Sequence, residues 1–489
     1  MSIIKEAFRD TSKYFIFRIL TALLGVISLP ILSRIFEPGD FGIYSIILTT
    51  FSMSTLVAAG WIKESILRFY HVYQKENREN QLLSIGIISV LSICAIISVI
   101  AILLNFFTSN IPPYNLFLCL SIFSLKAITF ICFSYLRARQ EIFRVGFIQI
   151  FQKISEVMLG MPLILLGFSN NLLAILIGWF LGELVIFFYV SNSLNLKHIL
   201  KIFKIDKKIF LEMFKYGFPL ILSGISGILL QYSDRYIILF FRGETETGLY
   251  AFAYQIAQRT VGFLPQLISI GVWPVIAKYS ILNYEKTTKQ ISFFLRAYFL
   301  IVMPIIITLS LFSKELILLF GTAKYGLTYG IIPWVLSGVF IESLTWYPNI
   351  ILLLKKKTYI TMQVSIWVTV LNIGLNLLFI PKFSYSFAAL STCFSFGLKF
   401  LLIFFFSIRE NKQFLNELLY ITRFTVLTLP IIGLFIWLQP QLKALLSAPF
   451  LNTIFCLTIF LIFFIAINSL VKQQFNLKLT TAIKRLIFA

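Results

Sequence analysis

Thirteen ionisable side chains sit inside stretches of sequence that are otherwise apolar. They are Arg18, Lys63, Glu64, Lys126, Lys153, Glu156, Glu183, Asp234, Arg235, Arg259, Arg296, Glu342 and Lys399. A charge held at the centre of a bilayer costs roughly 2.5–3.5 kcal/mol on insertion scales, so such residues face a wetted path or one another. Three groups fall on polar stripes. Gln149, Gln152, Lys153 and Glu156 recur at spacings of three and four, which puts them on one helical face. Gly224, Gly227, Gln231 and Asp234 make a second face with Arg235 beside it, and Gln255, Gln258 and Arg259 follow Tyr254 on a third. Ser365, Thr369, Asn372 and Asn376 form an uncharged stripe. Eight of the thirteen are basic and five acidic, so a net cationic path is expected, suited to an anionic cargo. Arginine's planar fork of donors fits phosphate in particular. Arg259 is foremost, because its mid-depth position leaves it far from either headgroup layer. Against this stand plainer readings. Lys63, Glu64, Arg68, Lys399 and Arg18 can snorkel to an interface. Lys153 with Glu156, or Asp234 with Arg235 or Arg259, can be pairs that only fix helix packing.

The elements that must position these residues are a ladder of about fourteen apolar runs filling nearly all of the 489 residues. Each is long enough for a helix rising 1.5 Å per residue to cross a hydrocarbon layer of about 30 Å. They include Val145 to Phe168 as helix five, Phe214 to Phe241 as helix seven and Gly248 to Ala277 as helix eight. Ile421 to Leu438 and Phe450 to Val471 are helices thirteen and fourteen. Hydrophobic residues make up 59% of the chain and charged residues 13%, which excludes an ordinary soluble domain. The net charge of +22 does not signal nucleic acid, because the basic residues are spread through short loops. When loops are assigned to alternate sides, about 28 Lys and Arg fall on one side and 6 on the other. By the positive-inside rule the rich side is cytoplasmic, with both termini on it, in a multi-pass membrane protein. The phosphate-cradling pattern GxxxxGK[ST] is absent, and the two histidines, His71 and His198, lie in loops. No cofactor, resident metal or enzyme activity is expected.

The chain repeats itself. Glu37-Pro38-Gly39-Asp40-Phe41-Gly42-Ile43-Tyr44-Ser45 follows the first helix, and Gly243-Glu244-Thr245-Glu246-Thr247-Gly248-Leu249-Tyr250-Ala251 follows the seventh. An acidic residue, a spacer, then Gly-aliphatic-Tyr-small recurs about 206 positions on. Helices one to six thus match seven to twelve, and an even number per repeat relates the halves by a pseudo-two-fold along the membrane normal. The organisation read from this is an N-terminal six-helix lobe (1–192), a basic and partly amphipathic cytoplasmic linker (193–215), a C-terminal six-helix lobe (216–408), and two further helices with a tail (409–489). The fold class is all-α and integral to the membrane.

Ser33-Arg34-Ile35-Phe36-Glu37-Pro38-Gly39-Asp40-Phe41-Gly42-Ile43-Tyr44 resembles the first outer turn of the oligosaccharide flippases of bacterial surface polysaccharide synthesis. Gly60 with Ile66-Leu67-Arg68-Phe69-Tyr70 resembles the end of their second helix. Ser233-Asp234-Arg235-Tyr236-Ile237-Ile238-Leu239, then Gly248-Leu249-Tyr250-Ala251, resembles their seventh helix and following turn. That family belongs to the multidrug/oligosaccharidyl-lipid/polysaccharide exporter superfamily. The resemblance implies two six-helix lobes around a cavity lined by helices one, two, seven and eight, on which Arg18, Arg68, Asp234, Arg235 and Arg259 fall. It implies an undecaprenyl-diphosphate-linked glycan as cargo, membrane lipids around it and a coupling ion, proton or sodium. Polysaccharide polymerase and chain-length proteins are the implied protein partners. The candidate substrate-binding set is Arg18, Arg68, Lys153, Glu156, Asp234, Arg235 and Arg259. A multidrug antiporter, a peptidoglycan-precursor flippase and a membrane enzyme of polysaccharide assembly are the competing readings.

Overall fold

A computed structural model describes residues 2–108, 112–201, 206–265, 284–412 and 414–423, with the isolated positions 276, 425, 426 and 433. Expected helix fourteen, most of helix thirteen, most of the second part of helix eight and part of the linker at 202–205 lie outside the described residues. Among the described residues the chain is helical, with no β-strand. Ten helical segments are long and apolar enough to cross a membrane. The structure divides into two compact units, Met1–Ala251 and Phe252–Ala489.

In the first unit, α1 (Ser2–Ile35), α2 (Pro38–Thr55) and α3 (Trp61–Lys75) are followed by α4 (Glu79–Thr108) and α5 (Pro113–Ala138). Then come α6 (Ile142–Ser155), α7 (Met161–Leu165), α8 (Asn171–Leu194), α9 (Leu196–Lys201) and α10 (Lys207–Ala257). Proline opens α2 and α5, where its missing N–H costs nothing. The Asn170 side chain caps α8 by accepting from Leu173 N at 2.9 Å, and Asn195 ends it in the left-handed region. Among the described residues the face of α4 is largely open, with Phe106 77% and Phe107 81% exposed, as suits a helix that faces lipid.

Three of the expected elements are reshaped. The expected second helix extends to Lys75: α2 and α3 are joined through a π turn at Leu56–Gly60, so that Pro38–Lys75 forms one 38-residue span. The outer turn expected before helix eight is compressed into Gly243, whose φ of 83° reverses the chain inside α10. Helix five is not continuous. It stops at Ser155, passes through an irregular turn over 156–160 and resumes as the short α7. Pro162 cannot bond back to residue 158, and Gly160 is pressed against α8, where a Cβ on Gly178 would lie 2.1 Å from Gly160 N. The ten spans therefore carry eleven of the first twelve expected helices, and the broken fifth is the twelfth.

α10 runs antiparallel along α2 and α3. Tyr73 donates to Glu212 at 2.6 Å, and Ser65 to the Met213 carbonyl at 2.7 Å. The ring of Trp61 packs edge-on to Phe210 and Phe214. Further along, Thr50 bonds Tyr236 at 2.8 Å and Arg235 donates to Thr49 at 3.2 Å. The contact ends on glycines. A Cβ on Gly42 would meet Glu244 O at 2.3 Å, and one on Gly248 would meet Pro38 O at 1.6 Å. The two turns that the repeat relates thus touch main chain to main chain, as small residues allow. Just outside the membrane span, Arg78 is bonded to Asp206 and holds its carboxyl below the ordinary carboxylate range.

In the second unit, a π turn at Gln258–Gly262 continues the eighth helix. The helices α11 (Tyr284–Leu311), α12 (Ser313–Phe320), α13 (Ile332–Leu354), α14 (Thr358–Phe383) and α15 (Tyr385–Glu410) follow. The central and most buried of these is α13, whose Tyr347 and Phe340 pack on Tyr298 of α11. Just before α14, Lys357 bonds Glu410 at the end of α15 at 2.7 Å, which raises the amine above its usual value.

Candidate functional site: intramembrane charge clusters

Around the break in helix five the first unit gathers four ionisable side chains from three helices. Lys153 at the end of α6 donates to Glu156 at 2.6 Å. Lys126 of α5 approaches the other Glu156 oxygen at 3.9 Å and stands over the Trp179 ring of α8 at 4.5 Å. One turn beyond Trp179, Glu183 is fully buried and accepts from Thr129 at 3.3 Å. Its Oε1 and Trp179 Nε1 are both buried without a well-formed hydrogen bond among the described residues. Irregular backbone at membrane depth is tolerated where it is enclosed by protein or lines a wet cavity. A helix that breaks beside two lysines and two carboxylates is the local design expected of an ion- or ligand-handling element. The α1 helix closes on this region. Phe17 lies where a Cβ on Gly146 would be, 2.3 Å away, and Lys153 Cε is 3.6 Å from a Cβ on Gly25. Arg18, next to Phe17, is half-buried.

The second cluster lies on α10. Asp234 is fully buried. It accepts from the Arg235 backbone N–H at 2.8 Å and from the Tyr250 hydroxyl. Arg235, 3% exposed, reaches Thr49 and stands over the Tyr232 ring at 4.7 Å. These two residues therefore tie the seventh helix to the eighth and to α2. Arg68 lies elsewhere, exposed on α3, seven residues before its end.

In the second unit Arg259 is half-buried within the π turn. A π turn inserts one residue into the helical ladder and is frequent at functional sites. Its counterpart at Leu56–Gly60 in the first unit also ends on glycine, and each occupies the second helix of its repeat. Two ion pairs of this unit join charges that the sequence places in or beside apolar runs. Arg296 bonds both oxygens of Glu417, at 2.5 and 2.7 Å, and Lys399 bonds Glu342 at 2.8 Å. The stripe of α14 meets α15 in a polar network. Asn372 donates to Ser395 at 3.0 Å, Asn376 to Asn372 at 3.2 Å, and Ser391 to Asn376.

The structure brings Lys153 and Glu156 together, and likewise Asp234 and Arg235. It adds Lys126, Glu183, Thr129 and Trp179 to the first pair. Lys126 and Glu183 were visible in the sequence as charges in apolar runs, whereas Trp179 and Thr129 carried no signal. Glu417 was missed because it follows a loop. Its pairing with Arg296 offsets one of the eight cations counted in the apolar runs, so the cationic surplus is smaller than the sequence alone suggests.

Residues 7–280 match the sequence profile of the family described as "Polysaccharide biosynthesis protein". The chain belongs to that family. A curated relative, the "Putative O-antigen transporter" of Shigella flexneri, is 23% identical over 370 residues, covering 71% of this chain and 84% of its own. Among solved structures the chain is similar to the lipid II flippase MurJ in an inward closed conformation, with a TM-score of 0.67 at 15% identity. That match covers 95% of this chain and 99% of the other. It is also similar to an inward-facing multidrug resistance MATE family transporter of the MOP superfamily, with a TM-score of 0.62 at 13% identity over 82% and 98% of the two chains. At these identities the solved structures speak for the fold, which is that of the MOP transporters.

Proposed function

We propose that the chain flips an undecaprenyl-diphosphate-linked oligosaccharide from the inner to the outer leaflet of the cytoplasmic membrane, by alternating access, for surface polysaccharide synthesis. Family membership supplies the pathway, and the fold supplies a machine of the transporting kind. The single observation that carries the reading is the set of partly buried cations held where helices break or bulge: Lys126 and Lys153 at the interrupted fifth helix, and Arg259 in the π turn of the eighth. Buried cations of this kind stabilise a diphosphate as it leaves water. In this reading Arg18 and Arg259 bind diphosphate, with Arg68 on the approach from the headgroup layer. Lys153, Glu156 and Asp234 handle sugar or coupling, and Arg235 holds Asp234 in place. A proton or sodium gradient drives the cycle, and polymerase and chain-length proteins act on the product. The chain itself makes and breaks no bond.

The test is surface polysaccharide in cells whose only copy is Arg18→Ala or Arg259→Ala, expressed at wild-type level. Loss of at least tenfold in each is expected, and wild-type amounts in both would end the assignment. Unchanged drug susceptibility and unimpaired growth on deletion separate this cargo from drugs and from the cell-wall precursor. Purified chain that forms or cleaves a glycosidic bond would establish the enzyme reading instead.

A further inference from the structure

At one end of the first unit the turns between α3 and α4, between α5 and α6, and between α8 and α9 enclose a cavity of about 680 Å³. That volume lies within the roughly 300–1,000 Å³ of sites that hold small organic ligands. The cavity is separate from the charge clusters above, and its walls are polar. Both histidines of the chain, His71 and His198, line it. Its floor is aromatic: Tyr70 and Tyr135 are 4% and 2% exposed and meet edge to face at 5.3 Å. Tyr135 donates to Asn80 at 3.2 Å.

The fixed charges decide what fits. Arg139, at 2.8 Å, and Arg144, at 2.6 Å, share the Glu141 carboxylate at the rim. Glu79 remains, with Oε2 buried and accepting no hydrogen bond from any described residue. With Glu79 counted, two arginines face two carboxylates, so no surplus of cations is left to hold a phosphate. Among the described residues no group of three metal-binding side chains occurs, so a cation cage is not formed either. What the walls offer is donors interleaved with acceptors: the amides of Gln74, Asn80, Gln140 and Asn195, the imidazoles, and the Glu79 carboxylate. A hydroxyl both gives and takes a hydrogen bond, and a polyol needs such a mixed lining. Gln140 points the same way. It holds φ at 61°, a conformation that amides with larger side chains adopt at a cost, and strain of this sort gathers at binding sites.

We propose that this cavity binds the neutral sugar portion of a lipid-linked glycan at the membrane surface, before the diphosphate reaches the buried cations. The proposal rests on the reading that the cargo is a glycan, and it adds a docking site for the sugars that is distinct from the transport path.

The test uses the full chain with Gln74→Cys in lipid nanodiscs. Maleimide labelling is timed alone, with millimolar oligosaccharide released from the cell's own carrier lipid by mild acid, and with inorganic pyrophosphate. Wild-type chain supplies the background from native cysteines. The oligosaccharide is expected to slow labelling at least threefold, and pyrophosphate to leave it unchanged. Glu79→Gln, and separately His198→Ala, return the rate to that of the unliganded protein. Absence of protection by sugar, protection by pyrophosphate alone, or protection that survives both substitutions overturns the proposal. Surface polysaccharide in the same cells keeps the two readings apart. Normal polysaccharide from the Gln74→Cys chain with no protection removes the docking site and leaves the flippase reading standing. Normal polysaccharide in cells lacking the chain removes the flippase reading.

Discussion

Asp234 shows how a charged residue becomes affordable inside a membrane protein. Its carboxylate takes the Arg235 backbone N–H and the Tyr250 hydroxyl, so both oxygens are engaged in a fully buried place. Tyr250→Phe removes the hydroxyl donor from this buried carboxylate, and a hydrogen bond to a charged group contributes about 1.5–3 kcal/mol. Thermal unfolding in detergent should register that loss, and a midpoint equal to wild type would mean that the oxygen finds water. Asp206 is a second case, at the surface. Arg78 holds its carboxyl below the ordinary value, so the folded state binds its proton more weakly than the unfolded chain does. The sign follows: the stabilisation is present at neutral pH and is lost as pH falls through and below the ordinary carboxylate range. The midpoint difference between wild type and Asp206→Asn should therefore shrink from neutral pH to about pH 3. A difference independent of pH would exclude the ion pair as its source.

At the scale of elements, the structure departs from ideal helices where the polar residues are. Helix five breaks two residues after Lys153, and the second helix of each repeat carries a π turn ending on Gly60 or Gly262. None of this was legible in the sequence. A π turn adds one residue to a ladder, which a hydropathy pattern of period 3.6 cannot register, and Pro162 looked like any of the many helix prolines. Only the packing of Gly160 on Gly178 of a separate helix turns that proline into a break. The repeat motif was legible, because Gly-aliphatic-Tyr after an acidic residue recurs at a fixed offset. Its spatial meaning, two turns in backbone contact, was not. Gly248→Ala tests that contact. Its Cβ would lie 1.6 Å from Pro38 O, and overpacking of this kind costs typically about 1–3 kcal/mol. Reduced thermal stability with exposure of the 37–44 turn to protease is expected, whereas Ala at the open Gly227 should be silent.

For the whole molecule, the ladder of spans and the all-α class followed from apolar run length alone. The pairing of charges did not, since Arg296 and Glu417 are separated by 121 positions. The antiparallel contact of α10 with α2 and α3 carries a mechanical demand. If the chain works by alternating access, part of this contact must open in every cycle. Thr50 and Tyr236, bonded at 2.8 Å, mark a place to pin it. Cysteines at both positions, joined by a short bifunctional reagent, should stop surface polysaccharide export, with recovery when a cleavable linker is cut. Continued export from the linked protein would show that these helices travel together.

The meeting of Gly42 with Gly248 is backbone on backbone, neutral and without any side chain that could recognise cargo. A latch of that sort is blind to which sugar passes. Relatives carrying different glycans could share it unchanged while their cargo-facing residues diverge. Grafting the 37–45 and 243–251 turns from another member should then preserve cargo preference, and hybrids would inherit their appetite from elsewhere in the chain.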